Sequence, residues 1–212
     1  MRSSLMRRPY VRRTARSRVA SRAGRLYRGR MGRRMFVAVV PPEDVREDLA
    51  AFLEPREGMR WTPPDRMHVT LAFLPDVPER ILEPLEERLR TAVADLQPFA
   101  CRLAGAGAFP HPDRPAVLWL GVDRGRAELE LAARRVRGAA NDAGAGPEGQ
   151  RVVPHVTLAR PARGRSALRW IRVLDTYRSR EWRVDELELI DSQLLGRGRR
   201  PLREVAARLP LG

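Results

Sequence analysis

The sequence predicts an α+β fold of two similar lobes, each an antiparallel sheet with helices on its outer side and a cleft between the lobes. Two observations support this prediction. Strand-like and helix-like segments alternate along residues 35–212, yet the helices connect pairs of strands rather than every strand. The pentapeptide HVTLA also occurs twice, at residues 68–72 and 155–159. The repeat indicates a duplicated, bilobal unit that presents both copies to the shared cleft.

Seven strands are predicted from apolar runs and alternating patterns. The first, residues 35–40, is almost wholly apolar and is closed by Pro41 and Pro42, which favours a buried strand. The loop PHPDRP separates the strands expected at residues 99–109 and 116–122. The remaining strands are expected at residues 67–74, 99–109, 116–122, 155–159, 182–194 and 204–209.

Four helices are predicted from apolar residues at helical spacing. In residues 43–55, Val45, Leu49 and Leu53 recur every fourth position, and acidic residues occupy the first turn. Residues 78–96 carry a similar stripe, with Pro84 expected to delay or kink the helix. The last two helices are expected at residues 124–140 and 166–177.

Composition excludes several classes of protein. All of the 41 basic residues are arginine, so chemistry that requires a lysine amine, such as a Schiff base or a Walker A lysine, is excluded. The single cysteine, Cys101, excludes an intramolecular disulfide and a multi-cysteine zinc site. No apolar run approaches the roughly 18 residues of a membrane span. We therefore expect a cytoplasmic protein with no membrane contact.

The formal net charge of +15 lies mostly in one segment. Residues 1–34 contain 13 arginines and no acidic residue, and we interpret them as a disordered Arg-rich N-terminal extension to a domain of residues 35–212. The extension has three interpretations: a nucleic-acid-binding arm, a targeting segment, or translated sequence upstream of a start at Met31 or Met35. The charge alone therefore does not establish nucleic-acid binding.

The repeated pentapeptide places polar groups on one face of each strand. Because side chains alternate in a strand, His68 and Thr70 share one face, as do His155 and Thr157. Either copy alone would suit a half-buried structural strand. The identical recurrence favours function, since a structural strand has no need of histidine and two imidazoles can act as acid and base near neutral pH.

These residues resemble the 2H phosphoesterases, which carry paired H-x-T-x motifs, and most closely the RNA 2′,3′-cyclic phosphodiesterases, also called bacterial 2′-5′ RNA ligases. The resemblance covers residues 35 to the C-terminus and includes RMFVAVVPP, WTPPDRMHVTLAFL, FPHPDRPAVLWLGV, PHVTLAR and the late Ser192-Gln193-Leu194. Two positions depart from the family pattern. Pro75 replaces a frequent glycine, and Pro201-Leu202-Arg203 stands where an aromatic residue is usual near the last strand.

The resemblance implies metal-independent hydrolysis of RNA 2′,3′-cyclic phosphate ends to 2′-phosphomonoesters, without a cofactor. We expect a monomer. It implies His68 as general acid and His155 as general base. Thr70 and Thr157 are expected to bind substrate phosphate, and Arg160, which follows the second motif, is a further candidate. The expected partner is RNA ending in a 2′,3′-cyclic phosphate, such as a tRNA fragment.

Alternative functions remain at this point. The same site would serve a 2′-5′ RNA ligase, a 2′-5′ phosphodiesterase or an enzyme for another cyclic nucleotide, and a non-catalytic RNA-binding module would also use basic residues and a phosphate cleft. The third histidine, His111, is interpreted as a loop residue. Phe73, Phe109 and Trp119 would either stack on a nucleobase or belong to the core.

Overall fold

A computed structural model of the chain describes residues 32–56, 58–149, 152–162, 166–193 and 201–212. The predicted disorder of the N-terminal extension falls on residues that lie outside these ranges, apart from residues 32–34. Arg33 and Arg34 belong to the first strand, in which Arg33 pairs with Val77. The first strand thus begins two residues before the predicted start of the domain.

The described residues form eight strands, four α-helices and two short 3₁₀ turns. The strands are β1 (Arg33–Val39), β2 (Val69–Val77), β3 (Phe99–His111), β4 (Arg114–Arg124), β5 (His155–Ala159), β6 (Trp182–Val184), β7 (Glu186–Gln193) and β8 (Leu202–Pro210). The helices are α1 (Glu43–Leu53), α2 (Leu82–Val93), α3 (Arg126–Asp142) and α4 (Leu168–Leu174). The 3₁₀ turns are Pro64–Arg66 and Glu79–Ile81.

The strands form one antiparallel sheet in the order β6-β3-β4-β5-β2-β1-β7-β8. The predicted α+β class with antiparallel strands is confirmed, but the expectation of two separate sheets is corrected. The four strands β6-β3-β4-β5 and the four strands β2-β1-β7-β8 meet where β2 and β5 pair, and the register there consists of the single pair Val69 and Val156. The two lobes are therefore halves of one sheet.

The predicted strand at residues 182–194 is two strands in the structure. The chain breaks at Asp185, so that β6 lies at one edge of the sheet beside β3 while β7 lies in the other half, between β1 and β8. The backbone carbonyl of Asp185 accepts a hydrogen bond from the Leu211 amide at 2.8 Å. A continuous apolar pattern does not reveal such a break, because both strands bury alternate residues in the same core.

All four helices bury residues against one face of the sheet, as the sequence predicts. The stripes Val45, Leu49, Leu53 of α1 and Leu85, Leu89, Val93 of α2 are at most 1% exposed. Pro84 delays the start of the helix as expected, because a 3₁₀ turn precedes α2. Pro84 itself lies in the first turn of α2, where a backbone N–H has no helical partner. None of the helices within the described ranges is long and apolar enough to cross a membrane.

The opposite face of the sheet carries Trp119 of β4, whose indole lies across β3. A Cβ atom added to Gly107 would lie 2.2 Å from the Trp119 ring, so only glycine fits beneath it. Phe109 packs beside the same ring, with centroids 5.2 Å apart. Gly107 therefore permits an aromatic surface to lie flat on this half of the sheet.

Gly107→Ala is expected to lower the free energy of unfolding by about 1–3 kcal/mol, because the added methyl displaces a packed indole. The matched control is Gly138→Ala in α3, where an added Cβ meets nothing within 4 Å. That substitution is expected to raise the free energy of unfolding by about 0.5–1 kcal/mol through helix propensity. Urea unfolding followed by circular dichroism measures both changes, and equal effects at the two glycines would contradict the assignment.

Candidate active site

The two HVTLA motifs have the alternation that the sequence predicts. Val69, Leu71, Val156 and Leu158 are fully buried on the helical side of the sheet. The histidine and threonine of each motif lie on the opposite face and are half-buried. Each motif therefore packs into the core through its apolar residues and leaves its polar residues on the surface that the helices do not cover.

The pairing of β2 with β5 brings the two motifs together. Because Val69 lies opposite Val156 in an antiparallel pair, His68 comes next to Thr157, and Thr70 comes next to His155. The structure thus gathers four of the five predicted site residues on one face, with the two imidazoles at diagonal corners.

Both imidazoles are held in the same way by the chain that precedes them. His68 Nδ1 lies 2.7 Å from the carbonyl oxygen of Arg66, and His155 Nδ1 lies 2.6 Å from that of Val153. A carbonyl oxygen only accepts, so each Nδ1 carries the proton that it donates. In the neutral form of each ring, Nε2 therefore has a free lone pair.

Aromatic rings support each imidazole. Phe36 packs on His68 with ring centroids 4.9 Å apart, and Phe109 packs edge-on against His155 at 5.1 Å. Trp119 lies opposite Thr157 in the β4–β5 register and 5.9 Å from the His155 ring. Phe109 and Trp119 thus belong to the candidate site, whereas Phe73 packs against a small apolar cluster on the same face.

Burial shifts both imidazoles towards the neutral form. Burial is the largest cause that lowers the pKa of His68 to about 4, followed by the positive charge of Arg203. Burial also lowers the pKa of His155, against the hydrogen bond to Val153, which raises it. In the protein without substrate, both rings are therefore neutral at neutral pH.

The remaining candidates differ in their surroundings. Arg160 follows the last residue of β5 and is exposed, and its charge contributes to lowering the pKa of His155. Thr70 and Thr157 are half-buried on the same face as the two histidines. His111, which the sequence suggests is a loop residue, is the last residue of β3 and pairs with Arg114; its side chain is 69% exposed and lies close to Asp113.

Sequence reasoning missed two residues that contact His68. Phe36 lies in the apolar run of β1, where alternation alone places it opposite the core residues Met35 and Val37. Arg203 of β8 has a guanidinium Nη1 3.3 Å from His68 Nδ1. The sequence contains no signal for this contact, because it depends on where the edge strand β8, far along the chain, places Arg203 relative to His68.

Comparisons with known proteins agree with this geometry. The family model described as the 2′-5′ RNA ligase superfamily matches residues 40–194. Relatives named RNA 2′,3′-cyclic phosphodiesterase include those of Aeropyrum pernix, 40% identical over 102 residues (48% of this chain, 57% of the relative), and Archaeoglobus fulgidus, 39% identical over 92 residues (42% and 51%). The chain thus spans about half the length of these two. The Thermus thermophilus relative is 35% identical over 179 residues, 78% of this chain and 84% of the relative.

Solved structures show the same fold. TT0787 of Thermus thermophilus is similar with a TM-score of 0.67 and 27% identity, covering 84% of this chain and 97% of that protein. Apo LigT of Escherichia coli has a TM-score of 0.67 at 24% identity, covering 85% and 98%. The resemblance carried by the paired motifs is confirmed. Since the family model spans both motifs and most of the sheet, the chain belongs to the 2′-5′ RNA ligase superfamily.

Proposed function

We propose that this protein hydrolyses RNA 2′,3′-cyclic phosphate ends to 2′-phosphomonoesters. The observation that carries the proposal is the diagonal arrangement of His68 and His155 on one face, each with its Nε2 free and a threonine beside it. Such hydrolysis needs a base for the attacking water, an acid for the leaving oxygen and donors for the charged phosphate oxygens. The four side chains supply all three.

The reaction in this arrangement has one in-line displacement. One Nε2 takes a proton from water as the water oxygen bonds to phosphorus, and the other imidazole, protonated, gives its proton to the 3′ oxygen as the P–O3′ bond breaks. Thr70 and Thr157 donate hydrogen bonds to the nonbridging oxygens, where negative charge accumulates. Arg160 lies at the rim as a further cation for the substrate phosphate.

The comparisons support RNA as the substrate class. Curated relatives bear the name RNA 2′,3′-cyclic phosphodiesterase, and Escherichia coli LigT, with a TM-score of 0.63 and 25% identity, has been solved in complex with 3′-AMP. Phe109 and Trp119 beside His155 offer aromatic faces to a nucleobase. We expect a monomer, since both motifs lie on one chain, and we place this RNA chemistry in the cytoplasm.

His68→Ala and His155→Ala are each expected to reduce kcat on a cyclic-phosphate oligonucleotide by roughly 10²–10⁴, the range for losing a general acid or base. Thr70→Val and Thr157→Val are expected to reduce kcat by smaller factors. The matched control is His111→Ala, because that imidazole lies outside both motifs, at the end of β3, and is 69% exposed. Steady-state kinetics on nuclease-free preparations measure the effects, and near-full activity of either His68→Ala or His155→Ala would overturn the proposal.

The pH dependence of kcat/KM is expected to be bell-shaped with an optimum below pH 6.5. One imidazole must be neutral and the other protonated, so the rate is highest between their two pKa values in the free protein. Both pKa values are lowered, that of His68 to about 4. A bound phosphate anion raises both, so the profile of kcat alone lies at higher pH. A kcat/KM optimum above pH 7 would contradict the neutral resting state of the site.

Activity is expected to persist in chelator and to give a 2′-phosphate. The proposed chemistry uses imidazoles and hydroxyls, and within the described ranges no group of three or more His, Cys, Asp or Glu side chains is placed to hold one ion. The assay incubates a cyclic-phosphate oligonucleotide with EDTA and maps the product phosphate by phosphorus NMR. Loss of activity that zinc or magnesium restores would place the protein in another class of hydrolase. Phosphate binding without turnover would favour the non-catalytic RNA-binding module.

A further inference from the structure

Arg203 occupies the Nδ1 side of His68. Its Nη1 donates to the carbonyl oxygen of Arg66 at 3.2 Å, and the same carbonyl accepts the Nδ1–H of His68 at 2.7 Å. Nη1 and Nδ1 are therefore two donors to the same carbonyl oxygen. The distance of 3.3 Å between them is not a hydrogen bond, because neither nitrogen accepts. A protonated imidazole here would place two cations side by side.

Several contacts fix the guanidinium of Arg203 in this position. Arg66 Nη2 donates to the Pro201 carbonyl at 2.9 Å, so the start of β8 and the 3₁₀ turn before His68 bind each other reciprocally. The Arg203 guanidinium also lies 5.2 Å from the centroid of the Phe36 ring, which packs on His68. The cation is thus held beside the imidazole.

Other charged groups face the same space. A cavity of about 150 Å³ lies beside His68 and is lined by Arg203 together with Asp65, Glu188 and Glu204. None of these carboxylates hydrogen-bonds to the imidazole, whose Nδ1 partner is the Arg66 carbonyl. The positive charges of Arg203 and, more weakly, of a protonated His155 lower the pKa of His68. The local balance of charge therefore disfavours a proton on His68.

His155 has different neighbours. Its Nδ1 donates to the Val153 carbonyl, and its ring contacts Phe109 and Trp119. The charge that lowers its pKa is that of Arg160, which is exposed to solvent and therefore screened. The repeated motif is thus symmetric in its residues and asymmetric in its charges.

We propose that Arg203 is a positioning residue that divides the two histidine roles, holding His68 as the neutral Nδ1–H tautomer that accepts the water proton and leaving His155 to protonate the leaving oxygen. The water O–H proton passes to Nε2 of His68 as the P–O bond forms. The P–O3′ bond breaks, and its electron pair takes the proton from Nε2 of His155. This division rests on the proposed hydrolysis and is the reverse of the one implied by the sequence resemblance.

The first test compares a cyclic-phosphate oligonucleotide with 3′-deoxyadenosine 2′-(4-nitrophenyl phosphate), whose nitrophenolate departs without protonation and which has no 3′ hydroxyl to attack the phosphorus. The kcat loss of His155→Ala is expected to be at least about tenfold smaller on the aryl ester, because the acid is no longer needed. The loss of His68→Ala is expected to be similar on both substrates. Selective rescue of His68→Ala would overturn the division, whereas full activity of both variants on the oligonucleotide would instead overturn the proposed hydrolysis.

The second test follows the imidazoles directly by NMR titration of the protein without substrate. Arg203→Leu is expected to raise the pKa of His68 above about 4, with burial still holding it below 6.5, and to leave that of His155 in place, while Arg203→Lys retains the low value. The control is Arg208→Leu in the same strand, where the side chain is 65% exposed and pairs with Glu186. Circular dichroism establishes that each variant is folded. An unchanged His68 pKa in folded Arg203→Leu would refute the role of Arg203.

Discussion

The contact between Val69 and Val156 is the constraint on which the rest of the site depends. Both side chains are fully buried, and their pairing is the register that joins the two halves of the sheet. Before His68, the 3₁₀ turn Pro64–Arg66 leads the chain away from β5, and the chain meets β5 again in a different register, where the Thr62 amide donates to the Leu158 carbonyl at 2.7 Å. The polar residues therefore lie where the two central strands begin to separate.

A single strand pair is a small contact for joining two halves, and a second set of interactions reinforces it. Tyr177, which follows α4, donates its hydroxyl to Asp48 of α1 at 2.7 Å and packs on Phe52. Arg180 forms a bidentate ion pair with Asp44 at the start of α1. The buried tyrosine contributes more to stability than the exposed ion pair, because surface pairs are worth little. Together they link the segment that follows α4 to α1, which connects β1 to β2.

The site combines a repeated motif with unlike surroundings. In both motifs, a carbonyl two residues before the histidine fixes the tautomer, and a ring supports the imidazole. The guanidinium of Arg203 lies on the Nδ1 side of His68, and the indole of Trp119 lies beside His155. Acid–base catalysis needs two groups with different proton affinities, and two copies of one motif acquire that difference only from their neighbours.

Local patterns in the sequence predict the fold class, the four helices, most of the strands and the central residues of the candidate site. The HVTLA repeat carries that information locally, because alternation in a strand decides which residues face the core and which lie on the open face. The apolar stripes of the helices are also visible in the local sequence, because the helical period decides which residues face the core. The prediction of one continuous strand at residues 182–194 was wrong, because the break at Asp185 leaves the alternation of apolar residues intact.

The way in which the two motifs meet, and the charges that surround them, depend on tertiary contacts. The joining of two expected sheets into one depends on a pair of residues far apart in the chain, as does the approach of Arg203 to His68. Phe36 was hidden in an apolar run, because a strand covered on one face by helices and on the other by aromatic rings lacks polar alternation. Contacts between distant segments are set by packing over the whole sheet, and for this reason local patterns predict the residues of the site but not its electrostatic asymmetry.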